Sequence, residues 1–150
     1  CPYHQAVSMK VKISQKLDSL NYLIGHLKRS SEEIGAIATF VGVVRGTRGT
    51  EKVLRLEYEA HKTLATKVAR EIVEDIKKKH GIIDAVVEHR IGSVQVGEDV
   101  MYVLIASKHR EEGFQALTEL VDRVKHEVPI WKKEVTEEGA RWVKGSEEHL

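Results

Sequence analysis

The sequence holds a single cysteine, Cys1, among 150 residues. One thiol excludes an intrachain disulfide framework and a thiolate zinc cluster. No apolar run reaches the roughly 18 residues of a membrane-spanning helix. Residues 1–8 lack the charged-then-apolar order of a signal peptide. The expected setting is therefore a reducing cytoplasm, without a membrane partner. Net charge is only +1, with 24 Lys and Arg against 23 Asp and Glu, which is not the basic excess of a nucleic-acid binder. Aromatic residues make up 5% of the chain, too few for a set of base-stacking platforms. No HxH, HExxH or Cys/His spacing marks a metal site. GxxxxGK[ST] and GxSxG are missing too, which argues against a Walker phosphate loop and a serine nucleophile elbow.

What is present is a foldable mixture. Hydrophobic residues account for 41% and charged residues of both signs for 31%. A chain of this length buries roughly 68–70% of its unfolded surface as one domain. Met9 stands just before a strand-like run, so residues 1–8 are expected to be a remnant of an upstream segment or a disordered segment. Residues 9–150 form the expected domain.

Residues 10–14 read as a strand, with Val11 and Ile13 on one face. Asp18 or Ser19 can cap a helix carrying Leu20, Leu23, Ile24 and Leu27. Residues 35–45 (GAIATFVGVVR) are small, β-branched and uncharged until their end, as in a buried strand. A glycine-rich turn, 46–51, leads to 53–60 (VLRLEYEA), which alternates with Leu54, Leu56, Tyr58 and Ala60 on one face. The two runs are expected to pair across the turn. Residues 61–80 form the clearest helix, with Leu64, Val68, Ile72 and Ile76 inward, basic residues in its last turn and Gly81 just after it. Residues 82–91 read as a strand and 92–99 as a loop. Residues 100–107 (VMYVLIAS) read as a central strand, apolar on both faces. A second long helix buries Phe114, Leu117, Leu120, Val121 and Val124 and stops before Pro129. The fold class is α+β: a single domain with a mainly antiparallel sheet, two long helices and one shorter N-terminal helix.

Three basic clusters stand out. Arg45 and Arg48 lie in a glycine-rich turn where backbone N–H groups can approach a phosphate; solvated arginines in an ordinary hairpin fit the same residues. Lys108, His109 and Arg110 follow a buried strand and precede a helix, a usual place for a ligand site; a polar connection with His109 at the surface fits equally. Lys125 borders the apolar stripe at a helix end, suited to nucleophilic or acid–base work or to snorkelling. The segment 129–131 forms a rigid apolar plug holding Lys132 near Lys125, with Trp131 read as core. His61, His80, His89 and His126 read as ordinary surface or core histidines. If the clusters converge they make a pocket for a small polyanion. A non-catalytic small-anion-binding α+β regulatory module and a basic-loop RNA binder remain alternatives at this level.

Five stretches, in order, carry a resemblance: GAIATFVGVVRG (35–46), LEYEAH (56–61), RIGSVQVGE (90–98), SKHREEGF (107–114) and VKHEVPIWKKE followed by GARWV (124–143). Over residues 9–144 the chain resembles the catalytic subunits of molybdopterin synthase. The resemblance implies a sulfurtransferase of molybdenum cofactor biosynthesis. It would convert cyclic pyranopterin monophosphate, a phosphorylated pterin, to molybdopterin by inserting two sulfurs as a dithiolene. Sulfur would arrive as a thiocarboxylate on the C-terminal Gly-Gly of a small ubiquitin-like partner. Two copies of this chain would form a homodimer flanked by two small subunits, with no cofactor and no metal in this step. Lys125 and Lys132 would be catalytic. Val43, Val44, Arg45, His109, Arg110, Lys125, Lys132, Lys133 and Glu134 would bind substrate, His109 and Arg110 reaching it from the neighbouring copy.

Overall fold

The structure, a computed structural model, describes residues 9–143. The expectation that 1–8 stand apart from the domain lies outside the described residues, as do residues 144–150. Among the described residues, three helices form where apolar residues recur every three or four positions. Helix α1 (Leu20–Lys28) is capped by Ser19, whose side chain accepts from the Tyr22 N–H, and buries Leu23 and Leu27. Helix α2 (Lys62–His80) is capped by His61, whose Nδ1 accepts from the Leu64 N–H at 3.2 Å. Gly81 ends it at φ 67°, a left-handed conformation that only glycine adopts readily. Helix α3 (Arg110–Glu127) ends at Val128, before Pro129.

Nine strands occur among the described residues: β1 (Met9–Ser14), β2 (Ala36–Val43), β3 (Thr47–Arg48), β4 (Glu51–Ala60), β5 (Asp84–Arg90), β6 (Gly92–Gln95), β7 (Asp99–Ser107), β8 (Ile130–Thr136) and β9 (Gly139–Val143). They make two sheets. The first has the order β1-β5-β7-β2, and only β1 with β5 is parallel. Its period-2 side chains split cleanly. Val103 and Ile105 of β7 join α2 and α3 in the main core, while Tyr102, Leu104 and Ala106 meet Leu23 and Leu27 of α1 on the other face. The second sheet has the order β3-β4-β8-β9, with β6 pairing further along the β3 side of β4, opposite β8. The chain leaves the first sheet for β6 at Gly92 (φ 89°) and returns to it through Gly97 (φ 86°). The α+β class, the antiparallel bias and the two long helices with a short first one agree with the sequence expectation.

Several local expectations fail. The runs 35–45 and 53–60 do not pair. Residues 36–43 join β7, and 53–60 join β8 and β6. Leu54 is exposed because a register shift between Val53 and Arg55 turns Val53 inward in its place. Leu64 is exposed because α2 runs antiparallel to α3, matching Asp75 to Arg123 and His80 to Glu119, so its first turn passes beyond the end of α3. Phe114 is 60% exposed because α3 turns Gly113 and Ala116 to the sheet instead. Gly113 permits this approach: a Cβ there would lie 2.6 Å from Ser107 Oγ. Part of the expected loop 92–99 is strand β6. Trp131 is exposed, not core, because it occupies the outward phase of β8.

Candidate active site

Where the two sheets meet the C-terminal end of α3, a cavity of about 410 Å³ opens. Each wall comes from a different part of the chain. The end of β2 supplies Phe40 and Val43, and the following turn Arg45 and Arg48. Lys125 enters from the last turn of α3. Ile130, Lys132 and Glu134 enter from alternate positions of β8, the phase that faces inward. Tyr58, His89 and Met101 close the floor.

Electrostatics favour an anion. Four cationic side chains line the cavity, Arg45, Arg48, Lys125 and Lys132, against one carboxylate, Glu134. Glu134 is buried and accepts from Arg48 Nη1 and Arg141 Nη2, each at 3.4 Å. Its carboxylate thereby holds the Arg48 guanidinium in place at the cavity wall and ties Arg141 of β9 to β8. Lys125 Nζ lies 5.8 Å from the centre of the Phe40 ring, within cation–π range. Its ammonium is thus fixed over the apolar end of β2.

The sequence-named residues divide into three groups. Val43, Arg45, Lys125, Lys132 and Glu134 converge on the cavity. Val44 points the other way into the core, its N–H donating to the Glu98 carbonyl at 3.0 Å. Lys133 occupies the opposite face of β8, 3.3 Å from Glu57 and over the Trp142 ring at 5.5 Å. Arg55, and then Lys133, hold the Glu57 carboxyl below the usual carboxylate range. His109 and Arg110 lie at the far end of α3. His109 is its N-cap, with its N–H donating to Glu112 Oε2 at 3.2 Å. Helix rise separates it from Lys125 by roughly 24 Å, so within one chain the pair does not reach the cavity.

Phe40, Tyr58, His89 and Met101 were not singled out by their sequence pattern. His89 is buried and stacks edge-on against Tyr58 at 5.0 Å between ring centres. Its Nδ1 lies 2.6 Å from the Arg90 carbonyl, an oxygen that can only accept, so Nδ1 carries the proton. The one available signal was position, immediately before the RIGSVQVGE stretch.

A family model described as MoaE protein matches residues 13–127. The chain belongs to the MoaE family of molybdopterin synthase catalytic subunits. It is 39% identical over 136 residues to the molybdopterin synthase catalytic subunit of Pyrococcus abyssi, covering 91% of this chain and 92% of that one. It is 40% identical over 114 residues to the human molybdopterin synthase catalytic subunit, covering 76% and 60%. Among solved structures it is similar to the molybdopterin synthase of Staphylococcus aureus, with a TM-score of 0.79 at 30% identity over 87% of this chain and 94% of that one. The resemblance read from the five stretches is thereby borne out. No described helix is long and apolar enough to cross a membrane.

Proposed function

We propose that this chain is the sulfurtransferase that converts cyclic pyranopterin monophosphate to molybdopterin. In this reading the cavity receives the pterin and the thiocarboxylated C-terminal Gly-Gly of a small ubiquitin-like subunit. The observation that carries the proposal is the convergence of Arg45, Lys125 and Lys132, distant in sequence, on one cavity of small-molecule size. Both reactants are anionic, and the cavity's four cations meet that requirement.

The thiocarboxylate sulfur is already a nucleophile, so the site must position it and manage charge. Arg45, at the rim, suits the substrate phosphate. Lys125 and Lys132 flank Ile130 and suit the thiocarboxylate. Either ammonium can stabilise its charge or deliver a proton to a departing oxygen. Phe40, Val43 and Met101 offer apolar contact for the pterin ring. His109 and Arg110 serve the same substrate only from a second copy of the chain, given the length of α3, so the active site is composite and the working unit a homodimer.

The test has two stages. The chain is mixed with a thiocarboxylated small subunit and the pterin, and dithiolene product is measured; absence of product refutes the reaction. Inactive Lys125→Ala and His109→Ala proteins are then allowed to exchange subunits. In a mixed dimer one site carries both lesions and the other neither, so activity returns in part. No recovery after verified exchange refutes the shared site.

A further inference from the structure

The sulfur transfer proposed above creates a bond that it does not itself break. Once the thiocarboxylate sulfur has bonded to the pterin side chain, the small subunit stays attached through an acyl–sulfur bond. Water must cleave that bond before the small subunit can leave, and a positioned base speeds the attack by taking a proton from the water. The cavity is rich in cations and poor in bases. Glu134 is its carboxylate, and Arg48 and Arg141 each engage one of the two oxygens. Among the described residues that line the cavity, His89 is the one side chain of a type that exchanges a proton near neutral pH. Its ring is held in one orientation. Nδ1 donates to the Arg90 carbonyl at 2.6 Å. That carbonyl is itself fixed, because the N–H of the same planar peptide unit, that of Ile91, donates to the Ser14 carbonyl at 2.9 Å. Tyr58 meets the ring edge-on, 5.0 Å between centres. With Nδ1–H tied to a backbone oxygen, the base of the neutral ring is Nε2. The position fits as well. Tyr58 lies opposite Lys132 in the β4–β8 pair, so it links His89 to an ammonium that suits the thiocarboxylate.

We propose that His89 is the general base of this release step. The water oxygen bonds to the acyl carbon as one of its protons passes to Nε2. The carbon–sulfur bond then breaks with its electron pair on sulfur. The small subunit departs as a carboxylic acid that ionises to solvent, and His89 returns its proton to the pterin thiolate. Lys125 or Lys132 stabilises the oxyanion that forms on the acyl carbon. Water is the one co-reactant, and the ring ends each cycle neutral, ready for the second sulfur. The assignment rests on the proposed reaction and deepens it, by giving small-subunit release a residue separate from those that serve sulfur attack.

The test is a single turnover with the full chain, thiocarboxylated small subunit and the pterin, quenched in acid and read by mass spectrometry of the small subunit. The wild type should convert thiocarboxylate to carboxylate with little adduct in between. His89→Gln keeps a hydrogen-bonding side chain of similar length but no base. It should consume the thiocarboxylate at close to the wild-type rate and release carboxylate about 10²–10⁴-fold more slowly. Small subunit heavier by the mass of the pterin should therefore accumulate, and neutral hydroxylamine, which cleaves thioesters, should discharge it. His89→Asn, whose amide N–H can replace Nδ1–H at the Arg90 carbonyl, carries the same prediction if the Gln variant does not fold. Release at the wild-type rate in a folded variant overturns the assignment. So does slow consumption of the thiocarboxylate without adduct, which would place His89 in binding or attack. Both results leave the reaction standing. A wild type that forms no dithiolene refutes the reaction, and the assignment with it.

Discussion

Asp84 opens β5 with its side chain in the protein interior, 1% exposed. One carboxyl oxygen accepts from the Ala85 N–H at 2.8 Å, and the other has no hydrogen-bond partner. Burial, with a smaller push from Glu74, outweighs the Ala85 N–H, Lys77 and Ser30 and moves its pKa from 3.8 up to about 6. Between pH 4 and 6 the native chain therefore holds a proton that the unfolded chain has released. Stability from this group is complete below pH 4 and is lost as pH rises through 6. The rise from 3.8 to about 6, at about 1.4 kcal/mol per unit, amounts to about 3 kcal/mol. Asp84→Asn removes that dependence. It also leaves a buried amide donor to satisfy, an offset of about 1–3 kcal/mol that does not vary with pH. The readout is therefore the change with pH. Urea unfolding of both proteins from pH 4 to 7.5 should show the difference in ΔG moving by about 3 kcal/mol in favour of Asn as pH rises. Glu88, also pushed up by burial, is common to both proteins and cancels. Two curves that run parallel through this window would refute the assignment of a buried, proton-retaining Asp84.

Lys125→Ala and Lys132→Ala should each lower turnover by about 10²–10⁴-fold at saturating small subunit, with thermal midpoints near wild type; near-normal turnover in both would remove them from the catalytic set. Arg45→Ala should weaken pterin binding in a calorimetric titration and leave small-subunit binding unchanged, because Arg45 lies on the cavity rim and outside the core. Gly35→Ala should destabilise the fold by about 2 kcal/mol or more, because the added methyl meets the backbone carbonyl of Lys108, which cannot rotate away as a side chain would. Chemical denaturation measures the loss.

Much of the architecture was legible because local periodicity encodes which face of an element is buried. The apolar run of β7, the stripe of Ile72 and Ile76 on α2 and the Gly81 stop all follow from spacing and backbone chemistry. The five stretches identified the family, and they contain Arg45, Lys125 and Lys132. Partner choice was not legible. Pairing of β2 with β7 instead of β4 joins residues more than 55 positions apart, and nothing in either run states its partner. Phe114 and Leu64 satisfied the helical period, yet where helices cross and end decided their exposure. His89 looked ordinary because its place in the cavity floor, edge-on to Tyr58, is set by packing between strands distant in sequence. The sequence by itself determined the residue chemistry, the element types and the family. Only the tertiary structure decided that two sheets meet at the end of α3, gathering four cations around one cavity and leaving His109 and Arg110 at the opposite end of the helix. Local pattern sets how each element is made, whereas convergence is a property of long-range packing.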